Sequence, residues 1–106
     1  MTDKIVVLST CNSAEEAEKI ARGLVDQKLA ACVNVLSGVR SFYRWKGTIE
    51  DSPEWLLIIK SSREHFDALR GALEKLHSYE VPEAIALPVV EGARNYLNWM
   101  EGELGA

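Results

Sequence analysis

Cysteine is scarce: only Cys11 and Cys32 occur in 106 residues, with no CxxC and none of the dense spacing of a disulfide-stapled secreted domain. Both read as reduced thiols, and no structural zinc cluster is available. Basic side chains are outnumbered by acidic ones, 12 against 16, for a formal net charge of -4. That balance excludes a non-specific nucleic-acid binder, whose affinity rests on neutralising phosphates with Lys and Arg, and disfavours an anionic membrane surface for the same reason. Long apolar runs are missing. Met1-Thr2-Asp3-Lys4 passes directly into Ile5-Val6-Val7-Leu8, too short for a signal-peptide core or a membrane span, so the cytoplasm is the expected compartment. There is no glycine-rich phosphate loop, no HExxH and no recognisable Ser-His-Asp motif, so no enzymatic activity is expected.

What is present is an ordinary globular composition, 47% hydrophobic and 26% charged, at a length that supports one core, so residues 1–106 are read as a single domain. Folding such a chain hides about two-thirds of its unfolded surface, which leaves room for help from neighbouring copies without requiring it.

Ile5 to Leu8 has the β-branched character of a central strand. Ser13 with Glu16 has the spacing of a capping box, and Ala17, Ile20, Ala21, Leu24 and Val25 form one helical stripe behind it. Ala31 to Trp45 reads as a strand in which Val33, Val35, Val39, Tyr43 and Trp45 share a parity, with a bulge or bend at Ser37-Gly38. Lys46-Gly47 and the polar stretch through Pro53 are expected to turn the chain into a third strand, Glu54 to Lys60. Ser61 with Glu64 repeats the capping spacing ahead of a second stripe, Phe66, Leu69, Leu73 and Leu76, which ends near His77-Ser78. Ala84 to Val90 reads as a fourth strand whose Pro88 points to an edge, and Ala93 to Glu103 as a closing helix. The order β-α-β-β-α-β plus a helix predicts an α+β fold, the ferredoxin-like split βαβ sandwich with an antiparallel sheet and two helices on one face.

A ribbon of about fifteen residues spans roughly 50 Å, against roughly 33 Å for the diameter of a domain this long. The second strand is therefore expected to overhang its own domain unless Ser37-Gly38 folds it back, and an overhanging hairpin's unpaired backbone groups invite pairing with another copy.

Three segments, KLAACVNV (Lys28–Val35), SFYRWKG (Ser41–Gly47) and YEVPEAIALPV (Tyr79–Val89), together with the closing Tyr96-Leu97-Asn98-Trp99, resemble the CutA family of divalent-cation tolerance proteins over nearly the whole chain. The resemblance implies a homotrimer joined through the long hairpin, an architecture similar to PII-type signalling proteins, and handling of divalent metals, copper especially. It implies no established enzymatic activity. The family's metal segment carries adjacent histidines in some bacterial relatives; here Leu76 precedes His77, so one of the pair is missing.

His77 and Cys11 are the candidate metal ligands, borderline and soft donors suited to copper or another divalent metal. Each also has a purely structural reading: His77 as a solvent-facing cap of the second helix, and Cys11 as a packed thiol, with Glu15 and Glu16 opposing any activation by the helix dipole. Cys32 reads as core. Lys60, Tyr79 and Glu83 flank strand ends that resemble the family's intersubunit cleft, where a small anionic ligand or a metal can bind. Tyr43, Trp45 and Trp55 read as packing or interface residues. Two other functions use the same fold. A nucleic-acid-binding module needs an aromatic-basic signature on its central strands, which neither Ile5–Leu8 nor Leu56–Lys60 supplies. An acylphosphatase-like hydrolase needs Arg and Gly after the first strand, where Thr10-Cys11-Asn12-Ser13 has neither.

Overall fold

The computed structural model describes residues 1–105. In chain order they form β1 (Lys4–Cys11), α1 (Ala14–Asp26), β2 (Cys32–Trp45), β3 (Thr48–Ser62), a 3-10 turn (Arg63–His65), α2 (Phe66–Leu76), β4 (Ile85–Pro88) and α3 (Arg94–Glu103). The sheet runs β2-β3-β1-β4 with every neighbouring pair antiparallel, the ferredoxin-like α+β arrangement. Alternate residues of β1 and β3 (Val7, Cys11, Leu57, Ile59) meet Ile20 and Leu24 of α1 and Leu69 and Leu73 of α2 in the core, all fully buried. Lys4 and Lys60, out of phase with the core positions Ile5 and Ile59, reach Glu101 and Tyr96, so α3 meets the opposite face of the sheet.

The overhang is present. β1 follows β3 only from Ser62 to Trp55, so Val39–Trp45 paired with Thr48–Glu54 has no third strand, and the molecule measures 44 × 25 × 23 Å. The connection is shorter than the sequence suggests. Lys46 and Gly47 alone make the turn, with φ of 51° and 84°, the doubly positive geometry that matches strand twist. Asp51-Ser52-Pro53 therefore lies inside β3; Pro53 is tolerated there because β3 has a partner on one side only, and its missing donor costs no ladder bond.

The bulge forms where expected and overturns the parity. Leu36 pairs with Leu56 and Val39 with Glu54, so Ser37 and Gly38 together oppose Trp55. One extra residue inverts the alternation beyond it. Val33 and Val35 share the core face, whereas Val39, Tyr43 and Trp45 share the face of Glu54.

Other boundaries move for local reasons. Ser13 accepts from the Glu16 amide at 3.1 Å, but the Glu16 carboxylate turns to His77 instead of closing the box. Ser61 caps nothing; it belongs to β3 and donates to the Leu29 carbonyl at 2.7 Å. Val25 is exposed at the end of its stripe, and Cys32, out of phase with the core on edge strand β2, is half-buried. The fourth strand shrinks to the edge segment Ile85–Pro88, in keeping with Pro88, and Ala93 becomes the N-cap of α3.

Candidate functional site

Two groups of candidate residues converge where β1 and α2 end. His77, the C-cap of α2, is buried rather than solvent-facing, and its Nε2–H donates to the Thr10 carbonyl at 2.7 Å. Its Nδ1 accepts the Tyr79 amide at 3.1 Å, which places a ring proton on Nε2. Glu16 Oε1 lies 3.2 Å from that same Nδ1 and has no donor. Cys11 is fully buried, and its thiol donates to the Ser13 carbonyl at 3.6 Å. Burial pushes the Cys11 thiol pKa up, the Ser13 contact opposes this, and the charges of Glu16 and Glu54 add to the rise. Neither residue presents a free donor to a metal in this arrangement. Among the described residues, no three His, Cys, Asp or Glu side chains cluster in a way that could hold an ion.

Beside them, the loop after α2 and the base of the overhanging hairpin border a half-open cavity of about 730 Å³. Tyr79 donates its hydroxyl to Glu54 Oε2, and the His77 ring packs against the Tyr79 ring at 4.6 Å between centroids. Burial and the Glu54 carboxylate raise the phenol pKa far above its ordinary value, so Tyr79 remains a donor. Glu83 also lines the cavity, and its carboxyl pKa is raised by burial and by the charge of Glu54. Tyr43, Trp45 and Glu80 complete the working part of the lining, which contains no Lys, Arg or His among the described residues.

Tyr79 and Glu83 are thus brought together, as the sequence suggests, but Lys60 is not with them. It sits six residues along β3 from Glu54, where its ammonium contacts the Tyr96 hydroxyl at 3.3 Å and lies 5.5 Å above that ring. Within one chain the cavity is therefore acidic. Glu54 is the residue that sequence reasoning missed as a site candidate. A lone carboxylate beginning the apolar run Trp55–Ile59 was the available signal, and its burial becomes clear only once Tyr79 covers it. Lys4 was missed too. It is buried between Asp3 at 2.8 Å and Glu101; burial opposes its charge, and the two carboxylates more than offset that, so its pKa is raised.

Residues 5–103 match a family profile described as CutA1 divalent ion tolerance protein. The divalent-cation tolerance protein CutA of Thermus thermophilus is 45% identical over 94% of this chain and 97% of its own length. The chloroplastic CutA protein of Arabidopsis thaliana is 41% identical over 92% of this chain, which spans about half of that longer protein (53%). Among solved structures, CutA from Xylella fastidiosa superposes with a TM-score of 0.95 at 43% identity, covering 98% of this chain and 100% of that one. A structure described as the periplasmic divalent cation tolerance protein CutA from Archaeoglobus fulgidus superposes at 0.91 with 37% identity, covering 94% and 97% of the two chains.

Proposed function

The chain belongs to the CutA1 divalent ion tolerance family, and from that premise we propose a homotrimer that binds a divalent cation or a small cationic ligand in the cleft at the hairpin base, without catalysing a reaction. The observation that carries this reading is the lining of the cavity, where Glu54, Glu80 and Glu83 share the wall and the nearby ammonium of Lys46, 3.9 Å from Glu80, is solvent-exposed at the rim. An anion entering there meets three carboxylates, whereas a cation relieves the Glu54 charge that adds to burial in raising the pKa of Glu83.

Self-association is supported by the hairpin, which exposes Phe42 and Ile49 beyond the reach of β1, and by edge strand β4, which exposes Ile85 and Leu87. The number three comes from the family resemblance. The reading includes the cytoplasm as compartment, which suits free Cys11 and Cys32, although chloroplastic and periplasmic relatives exist. No helix among the described residues is long and apolar enough to cross a membrane.

Native mass measurement with a panel of divalent metals and small amines tests both parts. The expected mass is about three times 11.8 kDa, with occupancy that falls in Glu54→Gln and Glu83→Gln. A stable monomer at micromolar concentration, or occupancy unchanged in both variants, overturns the reading. Copper at His77 and Cys11 is a separate part of the proposal, and it requires the imidazole to release Tyr79 or Thr10 and the thiol to leave its buried position. Copper titration of the wild type beside His77→Ala and Cys11→Ser decides it: equal affinity in all three removes that site.

A further inference from the structure

We propose that the cavity at the hairpin base is a receptor for organic ammonium ions, with the rings of Tyr43, Trp45 and Tyr79 as its walls and Glu54, Glu80 and Glu83 as its counter-charge. The inference rests on the cationic reading of the same cleft and names the chemical class of the ligand. A small hard metal ion demands several oxygens converging at about 2 to 2.6 Å. Within one chain the cavity does not supply them: Glu54 is committed to the Tyr79 hydroxyl, and no three His, Cys, Asp or Glu side chains among the described residues are grouped so as to hold an ion.

An alkylammonium asks for something else. When it is quaternary, its charge is diffuse and its hydration weak, so it is held by aromatic faces within about 6 Å and by carboxylates that need not converge. A volume of about 730 Å³ is far too large for a bare ion and falls in the range of small-molecule sites.

The chain itself places an ammonium at this station. Lys46 Nζ stands 5.7 Å from the Trp45 ring centroid and 3.9 Å from Glu80 Oε2. Trp45 and Glu80 both line the cavity, so the tip of the hairpin carries a tethered cation to the rim between an aromatic wall and an acidic one. The contact is solvent-exposed and weak, which makes it displaceable. Tyr79 is the most firmly placed wall, held by Glu54 at its hydroxyl and by His77 at its ring.

The test is calorimetric titration of the intact protein with choline and with 3,3-dimethylbutan-1-ol, the uncharged molecule of nearly the same shape. Choline is expected to bind saturably and the alcohol not to bind. Trp45→Leu keeps apolar bulk at an already exposed position, and circular dichroism checks its fold; choline affinity should fall by roughly threefold to thirtyfold. Glu54→Gln should weaken choline as well, and Lys46→Met should strengthen it by removing the tethered competitor. Divalent-metal binding without choline binding overturns the inference and leaves the proposed function standing, while binding of neither cation class overturns both. Equal binding of choline and the alcohol, or unchanged choline affinity in folded Trp45→Leu, also overturns the inference. An unchanged affinity in Lys46→Met overturns the role given to the tethered ammonium.

Discussion

The Tyr79 hydroxyl donates to Glu54 Oε2, joining the loop after α2 to the base of the hairpin across 25 positions of sequence. Glu54 is almost wholly buried, so the bond satisfies a carboxylate that water cannot reach. Tyr79→Phe keeps the ring and deletes only the donor. It should destabilise the protein by about 1 to 3 kcal/mol, the cost of an unsatisfied buried acceptor. Urea unfolding at fixed protein concentration measures this, and an unchanged midpoint would show that the pair contributes nothing.

Glu83 predicts a pH dependence of the opposite sign to that of a salt-bridged acid. Its folded pKa is raised above the ordinary 4.5 by burial and by Glu54, so the folded state holds the proton more tightly than the unfolded state. Below that ordinary value both states are protonated and Glu83 has no net effect. As pH rises from there through the raised value, stability is lost. Glu83→Gln, neutral throughout, should therefore raise Tm near pH 7 and leave it unchanged near pH 4. Thermal melts of both proteins at the two pH values check the sign.

Gly38 is the residue that permits the bulge. Its φ is +82°, and no atom lies within 4 Å of where a Cβ would sit, so a side chain there meets backbone strain and no clash. Gly38→Ala should cost about 1 to 2 kcal/mol. The same experiment on Gly71, helical and equally open, should stabilise by about 0.5 to 1 kcal/mol, since Ala is the better helix former. Denaturant midpoints of the two variants are expected to move in opposite directions.

If copies associate through the overhanging hairpin, folding and assembly are linked by mass action. The unfolding midpoint should then rise with protein concentration across roughly a hundredfold range. A concentration-independent midpoint would separate the hairpin's fold from any partner.

Much of this molecule was legible in its residues because the signals are local. Ser13 caps α1, and Lys46-Gly47 turns the chain. Gly38 marks the bulge, Pro88 lies on an edge strand, and the alternation of 2-residue and 3.6-residue apolar periods spells the element order. Tyr79 and Glu83 also lie close enough in sequence for one loop to carry both. The tertiary structure alone decided the rest, because each remaining feature depends on a partner distant in the chain. A one-residue bulge moves Tyr43 and Trp45 to the face of Glu54, a shift visible only when β2 is registered against β3. Ser61 has the spacing of a cap but finds Leu29 first, and Glu16 has the spacing of a box but turns to His77. Lys60 and Glu54 share a strand, yet the six residue steps from one to the other, at about 3.3 Å each, place one beside α3 and the other in the cavity. Local spacing determines which hydrogen bonds a side chain can reach; packing between distant segments determines which of them it makes.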